Sequence, residues 1–166
     1  MDQETEEMSN LKKKLTGLAL QIAGAMNVKL DFSHKSVENV ESILARIHDE
    51  YKKTRDDDGL RGIAVEFAAY MISVMEQNGL KGTWKRDHPD MGPQTFPYEW
   101  GEQTLFIYGW CMKRIFDGPG DDVWIKYKTF VLSEIEKKKP GEKKTSSSNL
   151  FQDSFKGCHA SCASRS

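Results

Sequence analysis

From Leu60 to Asn78 the chain is apolar almost all the way round a helix. Between Gly62 and Gln77, Ile63, Ala64, Phe67, Ala68, Met71, Ile72, Val74 and Met75 leave only Glu66, Ser73, Glu76 and Gln77 clearly polar. A helix without a polar face must be covered on several sides. It therefore sits at the centre of whatever forms, and the other segments have to cover it. Gly79 is the expected stop, because glycine takes the left-handed C′ conformation at no steric cost.

Two helices before it can supply that cover. Leu11, Leu15, Leu18, Ile22 and Met26 recur at three- and four-residue steps, an apolar stripe that turns Lys12, Lys13 and Lys14 to solvent. Gly17 and Gly24 weaken this helix by up to ~1 kcal/mol each relative to alanine, so packing must hold it. In the second, Ser33 is a natural N-cap, with Phe32 and Val37 placed as a hydrophobic staple. Its stripe is Val37, Val40, Ile43, Leu44, Ile47 and Tyr51, and a charged linker from Lys52 to Gly59 follows.

After Gly79 the pattern changes. Lys81 to Arg86, Thr95 to Trp100 and Thr104 to Tyr108 are short aromatic or β-branched runs, broken by Asp87–Pro93 and by Gly101-Glu102. They predict a three-stranded antiparallel meander. A short helix from Gly109 to Phe116 follows, halted by Asp117-Gly118-Pro119-Gly120. A last helix begins near Asp121 and buries Val123, Trp124, Tyr127, Phe130, Val131 and Ile135. The predicted class is α+β: three N-terminal helices, a small three-stranded antiparallel meander and two C-terminal helices.

The 166 residues suit one domain. The composition is 38% hydrophobic and 30% charged, so part of the chain stays out of the core. Seventeen aromatics exclude a wholly disordered protein. The expected division is an unstructured acidic stretch over 1–10, a single domain over 11–136 and an unstructured basic, Ser-rich tail over 137–166. That tail has seven Lys/Arg against two Asp/Glu and carries +5, which leaves −6 on the rest of a chain of net charge −1. A globule of that sign repels phosphate backbones, and only the tail attracts them. No run reaches the ~18–20 apolar residues of a membrane span, and the acidic N-terminus is unlike a secretory signal. Cys111, Cys158 and Cys162 make no disulfide framework, which favours a reducing compartment. The expected location is cytoplasmic, with nuclear import left open by Lys137–Lys144.

Asp31-Phe32-Ser33 opens an amphipathic helix, a Gly/Ala-rich helix runs from Gly62 through Tyr70 toward Trp84, and Lys113-Arg114-Ile115-Phe116-Asp117-Gly118 follows the strands. In this order of events, over about two-thirds of the chain, the sequence resembles an uncharacterised bacterial domain family of unknown function. The resemblance implies a helix-rich α+β fold and brings no activity with it.

Of the four histidines, His34 and His48 fall on the polar side of the second helix, His88 in a loop and His159 in the tail. A general base needs a positioned partner and partial burial, and the sequence supplies neither, so each reads as a solvated surface group. Cys111, between Trp110 and Met112, reads as a small core thiol. No nucleophile-elbow or phosphate-loop motif occurs. Asp87-His88-Pro89-Asp90 offers metal-ligand types but reads equally as an exposed turn. Cys158, His159 and Cys162 fall short of the four ligands of a structural zinc, and leave open only a site shared between two chains. No cofactor is expected. Leu150, Phe151 and Phe155 leave open a short motif that folds on a partner.

The remaining signal is aromatic. Trp84, Phe96, Tyr98, Trp100, Phe106, Tyr108, Trp110 and Trp124 crowd one region. Strand alternation sends about half of such residues to the face away from the helices, where Trp and Tyr serve as partner anchors. The alternative is that they fill a small core from both sides. Trp84, Tyr98, Trp100, Tyr108 and Arg114 are the candidate contact surface. The resulting functional expectation is a non-enzymatic interaction or adaptor domain that binds a protein partner through the strand face. Its rival is a small-molecule-binding domain or an enzyme with a pocket between the sheet and the third helix, served by Glu66, Glu76 or Arg114.

Overall fold

A computed structural model describes residues 2–139. The described residues fall into two units that meet in sequence between Lys128 and Thr129. The first holds helices α1 (Gln3–Ala25), α2 (Ser36–Thr54) and α3 (Leu60–Gln77), then strands β1 (Thr83–Trp84), β2 (Tyr98–Trp100) and β3 (Gln103–Leu105), then α4 (Ile107–Asp117) and α5 (Val123–Tyr127). A π-helical turn over Lys128–Leu132 precedes α6 (Ser133–Lys138). The fold is α+β, with the three strands in the order β1-β2-β3 and both pairings antiparallel.

The centre is α3. Phe67, Ala68, Ala69, Tyr70, Met71, Ile72, Val74 and Met75 are all fully buried, as its lack of a polar face requires. Gly79 ends it with φ of 86°, and the Leu80 N–H reaches back to the Met75 carbonyl at 2.9 Å. That is the six-to-one bond of a Schellman cap.

The other elements depart from expectation in instructive ways. Residues 3–10 are helical instead of unstructured, because Met8 is buried and extends the packed face of α1 by two turns. The buried line of α1 is Met8, Thr16, Ala19 and Ala23, and the leucines flank it half-buried. The two helices run antiparallel: Lys12 pairs with Glu76 at 2.5 Å, and Thr16 shares a hydrogen bond with Ser73 at 3.0 Å. Lys12 is thus part of the seam and does not point to solvent.

In α2, Ser33 Oγ accepts the Ser36 N–H at 3.2 Å, an N-cap contact, although regular helical bonding starts only at Ser36. Phe32 before it holds φ of 60°, and the Tyr70 hydroxyl receives its N–H. The last helix is not continuous: a π turn over Lys128–Leu132 interrupts it. Trp124 before that turn is half-buried and Phe130 within it lies 45% exposed, so neither is the buried residue the sequence pattern predicts. In the second unit Lys137 pairs with Glu134 one turn away at 2.8 Å.

Candidate functional site

The strands are short, and their aromatics share one face. Trp84 lies opposite Tyr98, Tyr98 lies opposite Leu105, and Trp100 is two residues on from Tyr98. Directly opposed residues, and residues two apart, point the same way. All four are buried, while the opposite parity carries Thr83, Glu99 and Thr104. This corrects the expected contact surface: Trp84, Tyr98 and Trp100 are core. Burial pushes the Tyr98 phenol well above its usual range, and its hydroxyl donates to the Leu80 carbonyl at 2.9 Å. The Trp84 indole donates to the Phe96 carbonyl at 3.1 Å. Tyr108 lies in α4, half-buried, edge-on to Phe96 at 5.3 Å.

Arg114 is also buried, on α4. Its Nε donates to Glu41 Oε1 at 2.6 Å, and Glu41 Oε2 accepts the Val123 N–H at 2.9 Å. One carboxylate on α2 therefore fastens the middle of α4 and the start of α5. Burial pushes the Glu41 carboxyl up, opposed by the guanidinium and the Val123 N–H.

The polar residues proposed for a pocket do not converge. Arg114 is engaged with Glu41, and Glu76 with Lys12. Glu66 is half-buried on the same side of α3 as Ser73 and Glu76, and burial raises its carboxyl. Ten residues separate Glu66 from Glu76, about 15 Å of helix.

Two histidines are structural. His48 is buried with Nδ1 2.8 Å from the Ile115 carbonyl, and its ring lies against Gly118. His34 Nδ1 lies 2.7 Å from the Tyr127 hydroxyl. Neither is the solvated group the sequence led one to expect. Position 48 continues the buried series Val37, Val40, Leu44 at helical spacing, a signal that was present. Cys111 is a fully buried thiol, raised by desolvation, 4.0 Å from the Met71 sulfur. Among the described residues, no group of three or more His, Cys, Asp or Glu side chains is placed to hold a metal ion. Cys158, His159 and Cys162, with Leu150, Phe151 and Phe155, lie outside the described residues.

The most developed surface feature is the connection from β1 to β2. At its tip His88 and Gly92 exchange both backbone bonds, at 3.0 and 2.9 Å. His88 Nδ1 accepts the N–H groups of Asp90 and Met91 at 3.1 and 3.2 Å. A ring nitrogen that accepts is unprotonated, so the neutral ring carries its proton on Nε2. Asp87 Oδ1 takes the Gln94 N–H at 2.8 Å, and the Thr95 hydroxyl donates to the Gly92 carbonyl at 3.0 Å. Beneath, the His88 ring meets Phe106 edge-on at 5.4 Å. This scaffold holds Met91 63% exposed. Beside the loop base, a cavity of about 210 Å³ is lined by Glu4, Glu7, Met8, Arg86 and Asp87. Sequence reasoning saw the turn and missed its methionine, the one large apolar side chain among turn formers. Comparison with protein-family models, curated proteins and solved structures finds no match for this chain.

Proposed function

We propose that the chain is a protein-interaction domain whose contact is made by the β1–β2 loop, with Met91 as its apolar anchor. The observation that carries this is a large apolar side chain held in water by a backbone bonded on both sides. An ordered loop loses little further entropy on binding. Methionine is also the side chain best able to adapt to an apolar recess. Connections of this length in compact domains are usually functional. The interaction class is the one the aromatic content led toward, and the surface moves from the sheet face to the loop beside it.

The test is recovery of binding proteins by the full chain and by Met91→Glu from the lysate of its own host. The reading expects a protein held in near-stoichiometric amount by the parent chain and lost by the variant, with both melting at the same temperature. Equal recovery by the two chains overturns the loop assignment.

One observation favours the small-molecule reading, namely the raised, half-buried carboxyl of Glu66. It stands apart from Glu76 and Arg114, so it supplies one polar group where a pocket needs several converging.

A further inference from the structure

A second surface stands apart from the Met91 loop in its residues and its chemistry. The Trp124 indole is half-buried and stacks on Tyr127 at 6.2 Å and 18°. Two ammonium groups approach this ring from separate elements. Lys128 Nζ lies 5.3 Å from its centroid, and Lys35 Nζ, from the turn before α2, lies 6.0 Å from it. Both are within cation–π range, which steadies a long side chain without using its N–H donors. Ile125, next to Trp124, is 57% exposed. Lys128 lies three residues from Ile125 and four from Trp124, so all three share one side of the chain.

The carboxylates close by are engaged with other groups. Asp121 is paired with Lys126 at 2.7 Å, and Asp122 accepts the Ile125 N–H at 2.8 Å. Lys35 touches Glu38 at 2.7 Å in an exposed pair of little strength. The result is an exposed aliphatic side chain and an aromatic edge flanked by two cations, on a protein whose residues 1–136 carry −6.

We propose that this surface docks a short acidic peptide segment bearing an aromatic or aliphatic side chain. The apolar residue would lie against Trp124 and Ile125, while its acidic neighbours accept from Lys35 and Lys128. Charge complementarity argues for a short segment over an extended anionic surface. A membrane or nucleic acid meets the whole −6 of the globule, whereas a few residues of peptide meet only the local pair of cations.

The test selects a random dodecapeptide display library on the full chain, with Lys35→Glu/Lys128→Glu as the comparison. Both lysines are solvent-exposed, so an unchanged melting temperature shows that the variant folds. The expected winners place Asp or Glu beside an aromatic or aliphatic residue, and their enrichment falls about tenfold on the variant through two reversed contacts. Enrichment of non-acidic peptides, no enrichment, or equal enrichment on both chains each overturns the proposal. Sedimentation of the parent chain, but not the variant, with phosphatidylserine vesicles would overturn it in favour of a lipid surface. A Met91→Glu chain keeps the enrichment, which separates this result from the fate of the loop reading.

Discussion

Arg114 and Glu41 meet at 2.6 Å with both side chains largely shielded from water, and the second oxygen of that carboxylate holds the first N–H of α5. Removing one member of such a pair strands the other charge. Glu41→Gln is expected to cost about 3 kcal/mol in urea unfolding. The double change Glu41→Leu/Arg114→Met is expected to cost clearly less than the sum of its two single changes. Additive losses would mean that the pair contributes no coupling.

Gly82 sits where β1 closes on β2. A methyl group there would lie 2.2 Å from the Glu99 carbonyl oxygen and 2.8 Å from the Tyr98 ring. Backbone cannot give way as a flexible side chain can. Gly82→Ala is expected to lose about 2–3 kcal/mol and to speed amide exchange at the Thr83–Glu99 pairing. A variant with parent-like stability and exchange would show that the strands can separate at no cost.

Two groups give pH dependences of opposite sign. Burial raises the Glu66 carboxyl, so the folded chain binds that proton more tightly than the unfolded one. Its contribution to stability is fully present below the unfolded value and is lost as pH rises through the folded one. Glu66→Gln is therefore expected to raise the melting temperature at pH 7 and to change it little at pH 4.

Burial lowers His34, so here the unfolded chain binds the proton more tightly. Stability is present above the ordinary histidine value of about 6.5 and is lost as pH falls through the lowered one. His34→Gln is expected to flatten the loss of stability as pH falls below the ordinary histidine value. An identical acid limb in the variant would assign that limb to other groups.

What the sequence reveals here depends on how local the cause is. The burial of α3 follows from its composition alone, and the buried face of α2 from its periodicity, with His48 lying on that face all along. The sheet was legible in order but not in facing. Positions 98 and 100 have the same parity, and this alone sends Tyr98 and Trp100 to one side. The α1–α3 seam was hidden because Thr16, Ala19 and Ala23 pack by being small and leave no hydrophobic signature. Lys12–Glu76 and Glu41–Arg114 join residues far apart in sequence, so only the folded chain brings them together. Met91 went unweighed because a turn rich in Asp, Pro and Gly reads as solvent-facing punctuation, whatever it presents.

The exposure of Met91 also sets it apart from the other methionines of the described residues toward an oxidant. Met8, Met71 and Met75 are buried, whereas the thioether at the loop tip is open to solvent. Mild peroxide would convert it to the polar sulfoxide before the core is touched. The side chain proposed as the loop's anchor would thus carry a chemical off-state, one that methionine sulfoxide reductases can reverse without the protein unfolding.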